Sequence, residues 1–269
     1  MQPLLRVENL VKHYAAGRSA SSKVKLTALD GVSLSIPSGE TLALVGESGS
    51  GKSTLALCIA CLEPPTSGSV WFEGIDAAAL GENQQCLLRP QIQLVFQDPA
   101  SSLNPRWTAL DIVSEPFLVQ GRFTKPDRAV RALQLLDRVA IPRKMAARRA
   151  DELSGGQKQR LAIARALALE PKLLILDEAL SALDCSVQAQ ISNLLLDLQS
   201  SLGLTYLFIT HDFAMAAHMA DQIAVMYQGR IVESGPFEKI LSSPNHEATR
   251  SLMAATPRFI ETPGVLVHF

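Results

Sequence analysis

The chain has 269 residues, 47% hydrophobic and 19% charged, with a formal net charge of −1. That length suits one large α/β unit, which buries about 75% of its unfolded surface and needs no disulfide or metal staple. The near-neutral charge excludes bulk attraction to nucleic acid or anionic lipid, and no run approaches the roughly 18 uncharged apolar residues of a membrane span.

The start, Met1-Gln-Pro-Leu-Leu-Arg6, lacks the basic and long apolar regions of a signal peptide. Residues 4–10 and 26–36 carry short, partly alternating apolar patterns, clearest at Leu34-Ser-Ile36, and predict antiparallel strands around a polar loop, Gly17 to Lys23. Tyr14 ends the first segment beside Lys12 and His13. Its ring suits stacking on a purine, but on composition alone packing at a strand end is the commoner use of such a residue.

After the turn at Pro37-Ser-Gly39, a short apolar strand (residues 42–45) runs into Gly46-Glu47-Ser48-Gly49-Ser50-Gly51-Lys52-Ser53, followed by Thr54 and an apolar helix. This is the G-x-x-x-x-G-K-[ST] phosphate-binding pattern in its strand–loop–helix setting. The glycines let successive N–H groups point at phosphate oxygens at a helix N-terminus. Lys52 reaches β- and γ-phosphates, and the Ser53 hydroxyl suits Mg²⁺. Cys58-x-x-Cys61 lies in the helix read over 55–62. Its spacing matches a redox or metal pair, but the apolar setting favours packing. The four cysteines suggest a reducing compartment.

Pro64-Pro65-Thr-Ser-Gly68 breaks the helix. Strands are expected at 68–74, with Val70 and Phe72 on one face, and at 91–97. Past the turn-rich connector 98–106, helical periodicity takes over (Leu110, Val113, Phe117; then Val130, Leu133, Leu136, Val139), and residues 99–149 read as an inserted helical subdomain. Then comes Leu153-Ser154-Gly155-Gly156-Gln157 and an Ala/Leu-rich helix. Ser154 is a good N-cap, and the two glycines leave backbone N–H groups open to an anion.

Leu173-Leu-Ile-Leu-Asp177-Glu178 is a continuous apolar run ending in two acids, as suits a parallel strand buried on both faces with ligand groups at its carboxyl end. Asp177 is placed to hold Mg²⁺ through water and Glu178 to orient or deprotonate an attacking water. Ser181-Ala-Leu-Asp184 turns into a helix over 187–202, and a buried strand over 205–210 ends at His211, able to donate to a γ-phosphate. His13, His218, His246 and His268 have no comparable context. A closing hairpin (224–227 with 230–233), helices over 236–241 and 246–255, and a Pro-containing tail complete the chain.

With these motifs in this order the chain resembles the nucleotide-binding subunit of an ATP-binding cassette (ABC) transporter over essentially its whole length; Ser-Gly-Gly-Gln separates that family from other P-loop ATPases. The resemblance implies an α/β fold: a P-loop NTPase (RecA-like) core over 1–98 and 150–235, with an N-terminal antiparallel β subdomain, a helical subdomain over 99–149 and a C-terminal helical extension over 236–269. It implies ATP and Mg²⁺ as cofactors. Tyr14 becomes the adenine-stacking aromatic, and Gln97 the residue that senses Mg²⁺ and lines the groove for a membrane subunit. Glu178 becomes the general base, His211 the γ-phosphate switch, and 181–184 the loop crossing a dimer interface at Asp184. The family works as a head-to-tail dimer, so residues 153–157 would serve the other subunit's nucleotide.

A narrower resemblance rests on Phe96 to Arg106, Asp177 to Asp184 and His246-Glu-Ala-Thr-Arg-Ser-Leu252, which look like the dipeptide/oligopeptide/nickel importer group. The last stretch departs from that group's usual His-Pro-Tyr-Thr, and no Cys follows Cys185 to hold the iron–sulfur cluster many members carry. It implies a second, different ATPase subunit as partner, two permeases, indirectly a periplasmic or extracellular solute-binding protein, no nucleic acid, and a place on the cytoplasmic face of the bacterial cell membrane. A nickel, metallophore or opine substrate is the alternative, since substrate choice lies in other polypeptides. A soluble cassette ATPase acting on DNA or ribosomes fits less well, because the chain has no sustained heptads and one phosphate loop.

Overall fold

The computed structural model describes residues 2–16 and 24–255; the polar loop 17–23 and the tail after residue 255 lie outside the described residues. In chain order the strands are β1 (Leu5–Ala16), β2 (Val24–Ile36), β3 (Thr41–Val45), β4 (Ser67–Phe72), β5 (Ile75–Asp76), β6 (Ile92–Val95), β7 (Leu173–Asp177), β8 (Thr205–Thr210), β9 (Gln222–Tyr227) and β10 (Arg230–Pro236). The helices are α1 (Lys52–Ile59), α2 (Glu82–Leu88), α3 (Pro99–Ser102), α4 (Ala109–Val119), α5 (Lys125–Arg138), α6 (Gly155–Leu167), α7 (Cys185–Leu202), α8 (Phe213–Met219), α9 (Phe237–Ser242) and α10 (Glu247–Ala255).

Strands apolar at every position need cover on both faces, and the alternation of side chains supplies two cores from each of them. Leu173 and Ile175 of β7 and Leu207 and Ile209 of β8 join a core shared with α1 and the antiparallel sheet; Leu174, Leu176, Tyr206 and Phe208 join a second core under α4 to α7. Ala43 and Val45 of β3 face a third, smaller core closed by α8, α9 and α10. The antiparallel sheet has the order β2-β1-β4-β5, and the larger sheet β10-β9-β3-β8-β7-β6. In the larger sheet β3, β6, β7, β8 and β9 run parallel, with β10 antiparallel at one edge.

That order decides where the chemistry gathers. The phosphate-loop strand β3 lies between β8 and β9, and β7 lies between β8 and β6. Val45 pairs with Thr210, Asp177 with Ile209 and Val95 with Leu176, so four strands end level at one edge of the sheet. Residues leaving those ends share one crevice, the usual ligand position in open α/β sheets.

The helical insertion carries its own start signals: Thr108 and Asp111 form a capping box on α4, and Thr124 caps α5 by accepting from Asp127 N. Of the apolar positions read as its periodic face, Val113, Phe117, Leu136 and Val139 are buried, while Val130 is exposed. Several boundaries differ from the sequence reading, and β1, expected over 4–10, runs on to Ala16. The strand expected over 91–97 is only Ile92–Val95, because the chain must leave the sheet before Gln97. The helix read over 55–62 ends at Ile59, with Ala60 as its cap and Cys61 at φ 56. The short helix α2, mostly exposed and without a marked apolar stripe, was not expected.

Candidate functional site

Backbone packing fixes the shape of the loop after β3. A Cβ on Gly46 would stand 2.3 Å from Met226 O, and one on Gly51, itself at φ 111, would stand 2.4 Å from Ala28 O. No other residue fits between β2, β9 and the loop at those two points. The Lys52 ammonium curls back into the loop, donating to Gly46 O at 2.8 Å and Glu47 O at 2.9 Å, with a Glu178 carboxylate oxygen 4.0 Å away. Burial lowers its pKa from the usual lysine value, against the pull of Glu178 and Asp177. Ser50, also in the loop, has a buried hydroxyl with no partner among the described residues.

Asp177 ends β7 buried, and its Oδ1 has no hydrogen-bond partner among the described residues. Burial pushes this carboxyl above the usual range, while a hydrogen bond from the Ser53 hydroxyl and the Lys52 charge pull it back. A buried oxygen with an open lone pair beside a serine hydroxyl suits a hard divalent cation. Glu178 is held at φ 46, a backbone region that a glutamate rarely adopts, with its N–H donating to Ile209 O at 3.0 Å. Its carboxylate lies between Lys52 and His211, whose Nδ1 is 3.5 Å from Oε2. Gln97 joins the group indirectly: its Nε2 is 3.5 Å from Ser181 Oγ, and that hydroxyl donates to Glu178 O at 2.9 Å. Sequence reasoning named Ser181 only as the start of a loop; its bridging role depends on how the ends of β6 and β7 approach.

Tyr14 pairs across the sheet with Leu26, two residues along β2 from Ala28, whose carbonyl presses against Gly51. The Lys12 ammonium lies 5.0 Å from the centroid of its half-buried ring. Lys12 is itself anchored to Pro64 O and Glu63.

The Ser154 segment forms a separate surface. Ser154 accepts from Gln157 N at 3.4 Å, and Gln157 Oε1 accepts from Ser154 N at 3.0 Å, closing a capping box at the start of α6. Ser154 and Gly155 are exposed, and Leu183 Cδ2 is 3.6 Å from where a Gly155 Cβ would stand. Asp184, exposed at the start of α7, directly follows Leu183. Of the residues singled out from sequence, the structure gathers 46–54, Gln97, Asp177, Glu178 and His211 at the sheet edge. It places the Ser154 to Gln157 start of α6 beside Leu183, the residue before Asp184, and Tyr14 on the adjoining antiparallel sheet.

Cys58 and Cys61 are free and buried, and desolvation pushes the Cys58 thiol up to about 11. No cluster of three His, Cys, Asp or Glu side chains able to hold a metal ion accompanies them among the described residues. Both lie in the core shared by α1 and the antiparallel sheet.

Comparison with known proteins accounts for this arrangement. The ABC transporter family model matches residues 29–181. A peptide ABC transporter ATP-binding protein of Sinorhizobium fredii, y4tS, is 50% identical over 94% of this chain and 72% of its own length. The dipeptide transport ATP-binding protein DppF of Escherichia coli is 45% identical over 96% of this chain and 77% of its own length. Among solved structures, the dimeric ATP-binding cassette MJ0796, in a post-hydrolysis state with ADP and Pi, superposes with a TM-score of 0.77 at 33% identity, covering 87% of this chain and 98% of that one. CbiO1 of Clostridium perfringens, part of the transporter complex cbiONQ, gives 0.79 at 31% identity, covering 90% and 92%. The phosphate loop, the acidic strand end and the exposed Ser-Gly-Gly-Gln helix start thus belong to one inherited design, and the chain is a member of the ABC transporter family, an ATP-hydrolysing cassette.

Proposed function

We propose that the chain hydrolyses Mg²⁺-ATP to drive import of di- or oligopeptides through two membrane-spanning partner subunits. The observation that carries this reading is the division of its site residues into two surfaces. One is a crevice at the sheet edge holding Lys52, Asp177, Glu178 and His211. The other is the exposed start of α6 at Ser154 and Gly155. An enzyme acting alone has no use for the second. A head-to-tail dimer does, because it closes the helix start of one cassette over the nucleotide of the other and excludes water.

In this scheme residues 46–54 cradle the phosphates and Tyr14 stacks on the adenine. Ser53, Asp177 and Gln97 would hold Mg²⁺, which would supply positive charge to offset that of the triphosphate. Glu178, held in place by its backbone, takes the proton of the attacking water. His211, whose ring lies beside the Glu178 carboxylate, donates to the γ-phosphate. Ser154, Gly155, Gly156, Gln157 and Asp184 serve the partner's nucleotide. We assign core (1–98 and 150–235), helical (99–149) and C-terminal (236–269) units to the chain on the basis of the helices α3 to α5 inserted between β6 and α6 and of α9 and α10 following the last strand.

The peptide class is supported by the names of the relatives above and by the stretches 96–106, 177–184 and 246–252. On the same ground the second cassette is a different polypeptide, with a solute-binding protein acting through the permeases. No helix among the described residues is long and apolar enough to cross a membrane; on the ground of the transport relatives we place the chain peripherally, at the cytoplasmic face of the cell membrane. Glu178→Gln tests the core of this reading. The variant should bind ATP, hydrolyse it about 10²–10⁴-fold more slowly and accumulate ATP-bound dimers on size exclusion; near-normal turnover would place the base elsewhere.

A further inference from the structure

Arg165 stands in the last turn of α6, eleven residues after Ser154, and is about one-third exposed. Its guanidinium makes two bonds to two different elements. Nη1 donates to the Ser102 carbonyl, at the end of α3, at 3.0 Å, and Nη2 meets a Glu115 carboxylate oxygen, on α4, at 2.8 Å. A planar fork holds two acceptors at fixed spacing in a way that an ammonium does not. Ser102 lies five residues beyond Gln97, and the turn between them carries hydrogen bonds of its own, Ser101 Oγ donating to Asp98 O and Ser102 Oγ to Pro99 O.

We propose that Arg165 is a positioning residue for hydrolysis: it anchors the segment bearing Gln97 to the far end of the helix that begins at Ser154. The connection runs from Arg165 through Ser102 to Gln97, then through Ser181 to the Glu178 carbonyl. One rigid helix thereby presents Ser154 to the partner's nucleotide at one end and sets Gln97 over its own at the other. Displacing the helical insertion moves both. The proposal rests on the roles given above to Gln97 and Ser154.

The test is a double-variant cycle on the full chain, reading kcat and the Kd for a non-hydrolysable ATP analogue. Arg165→Gln should lower kcat roughly tenfold, as expected when a positioned group is displaced, with Kd changed less than about twofold. Because Arg165 acts through Gln97, the Gln97→Ala/Arg165→Gln pair should be no slower than Gln97→Ala alone. Arg165→Lys, keeping charge but one contact, should recover part of the rate. Ile112→Val, a trimmed core residue of α4, should leave kcat unchanged even where its melting temperature falls as far. Multiplicative losses in the pair, or equal slowing by Ile112→Val, would reduce Arg165 to a structural tie. Normal turnover by Glu178→Gln would instead break the catalytic assignment beneath it.

Discussion

Burial strips the Lys52 ammonium of water, and the protein supplies a substitute shell of two loop carbonyls and two carboxylates. A triphosphate competes for that ammonium with stronger, charge-assisted bonds. Lys52→Ala removes them while the carboxylates of Asp177 and Glu178 stay, now repelling the phosphates. At about 1.5–3 kcal/mol per charged hydrogen bond, ATP affinity should fall by about 100-fold or more in an equilibrium titration; affinity within a few-fold of wild type would contradict the phosphate-cradle role. Lys172, whose exposed bridge to Glu73 is the surface kind worth little, makes a fitting control. At this scale the sequence was most legible where each residue type has its own chemical reason, as in the phosphate loop and Asp177-Glu178. It was silent where the reason is tertiary. The left-handed backbone of Glu178, the Ser181 bridge and the left-handed turn at Cys61 all follow from how separate strands and helices meet.

The C-terminal helix shows the same contrast one level up. Glu233 of β10 accepts hydrogen bonds from Asn245 N at 2.9 Å, His246 N at 3.2 Å and the Thr249 hydroxyl at 2.6 Å. Those bonds clip α10 to the sheet edge. In the stretch that departs from His-Pro-Tyr-Thr, the first and fourth positions, His246 and Thr249, make these contacts. Partial burial would raise this carboxyl, but the hydrogen bonds outweigh it and hold its pKa below the ordinary 4.5. The sign follows. A glutamate lowered in the folded state stabilises fully above its unfolded pKa and loses that contribution as pH falls through the folded value. Glu233→Gln should therefore loosen α10 at neutral pH, by about 1 kcal/mol, with faster hydrogen exchange over 247–254. The difference from wild type should shrink as pH drops below about 4.5. An unchanged exchange rate at neutral pH would remove Glu233 as the clip. The buried strands β3, β7 and β8 were readable as unbroken apolar runs, whereas the end of α1 and all of α2 were not, because neither has a periodic apolar face of its own.

Sheet order, not sequence order, assembles the molecule's working edge. The phosphate loop, the acidic pair and His211 come from β3, β7 and β8, which are adjacent only in the folded sheet. No periodicity in the chain specifies that order. The Ser154 surface, by contrast, was legible as an anion-ready helix start, and the structure leaves it exposed, with Leu183 beside it. Gly155 offers a clean way to test whose nucleotide it serves. A Cβ there meets only Leu183 Cδ2 at 3.6 Å, an ordinary contact, whereas one on Gly156 would strike Val187 at 2.6 Å. Gly155→Asp should thus fold normally, and its carboxylate at a helix N-terminus is mildly stabilising, by about 0.3–1 kcal/mol. In the isolated chain, ATP affinity should match wild type, because the crevice at the strand ends is untouched. Facing a partner's triphosphate, the same carboxylate repels the charge that the helix start should attract. In a Glu178→Gln background, ATP-dependent pairing with a second cassette, its own copy included, should disappear on size exclusion. Pairing that survives the substitution would mean that this surface does not close over a neighbour's nucleotide.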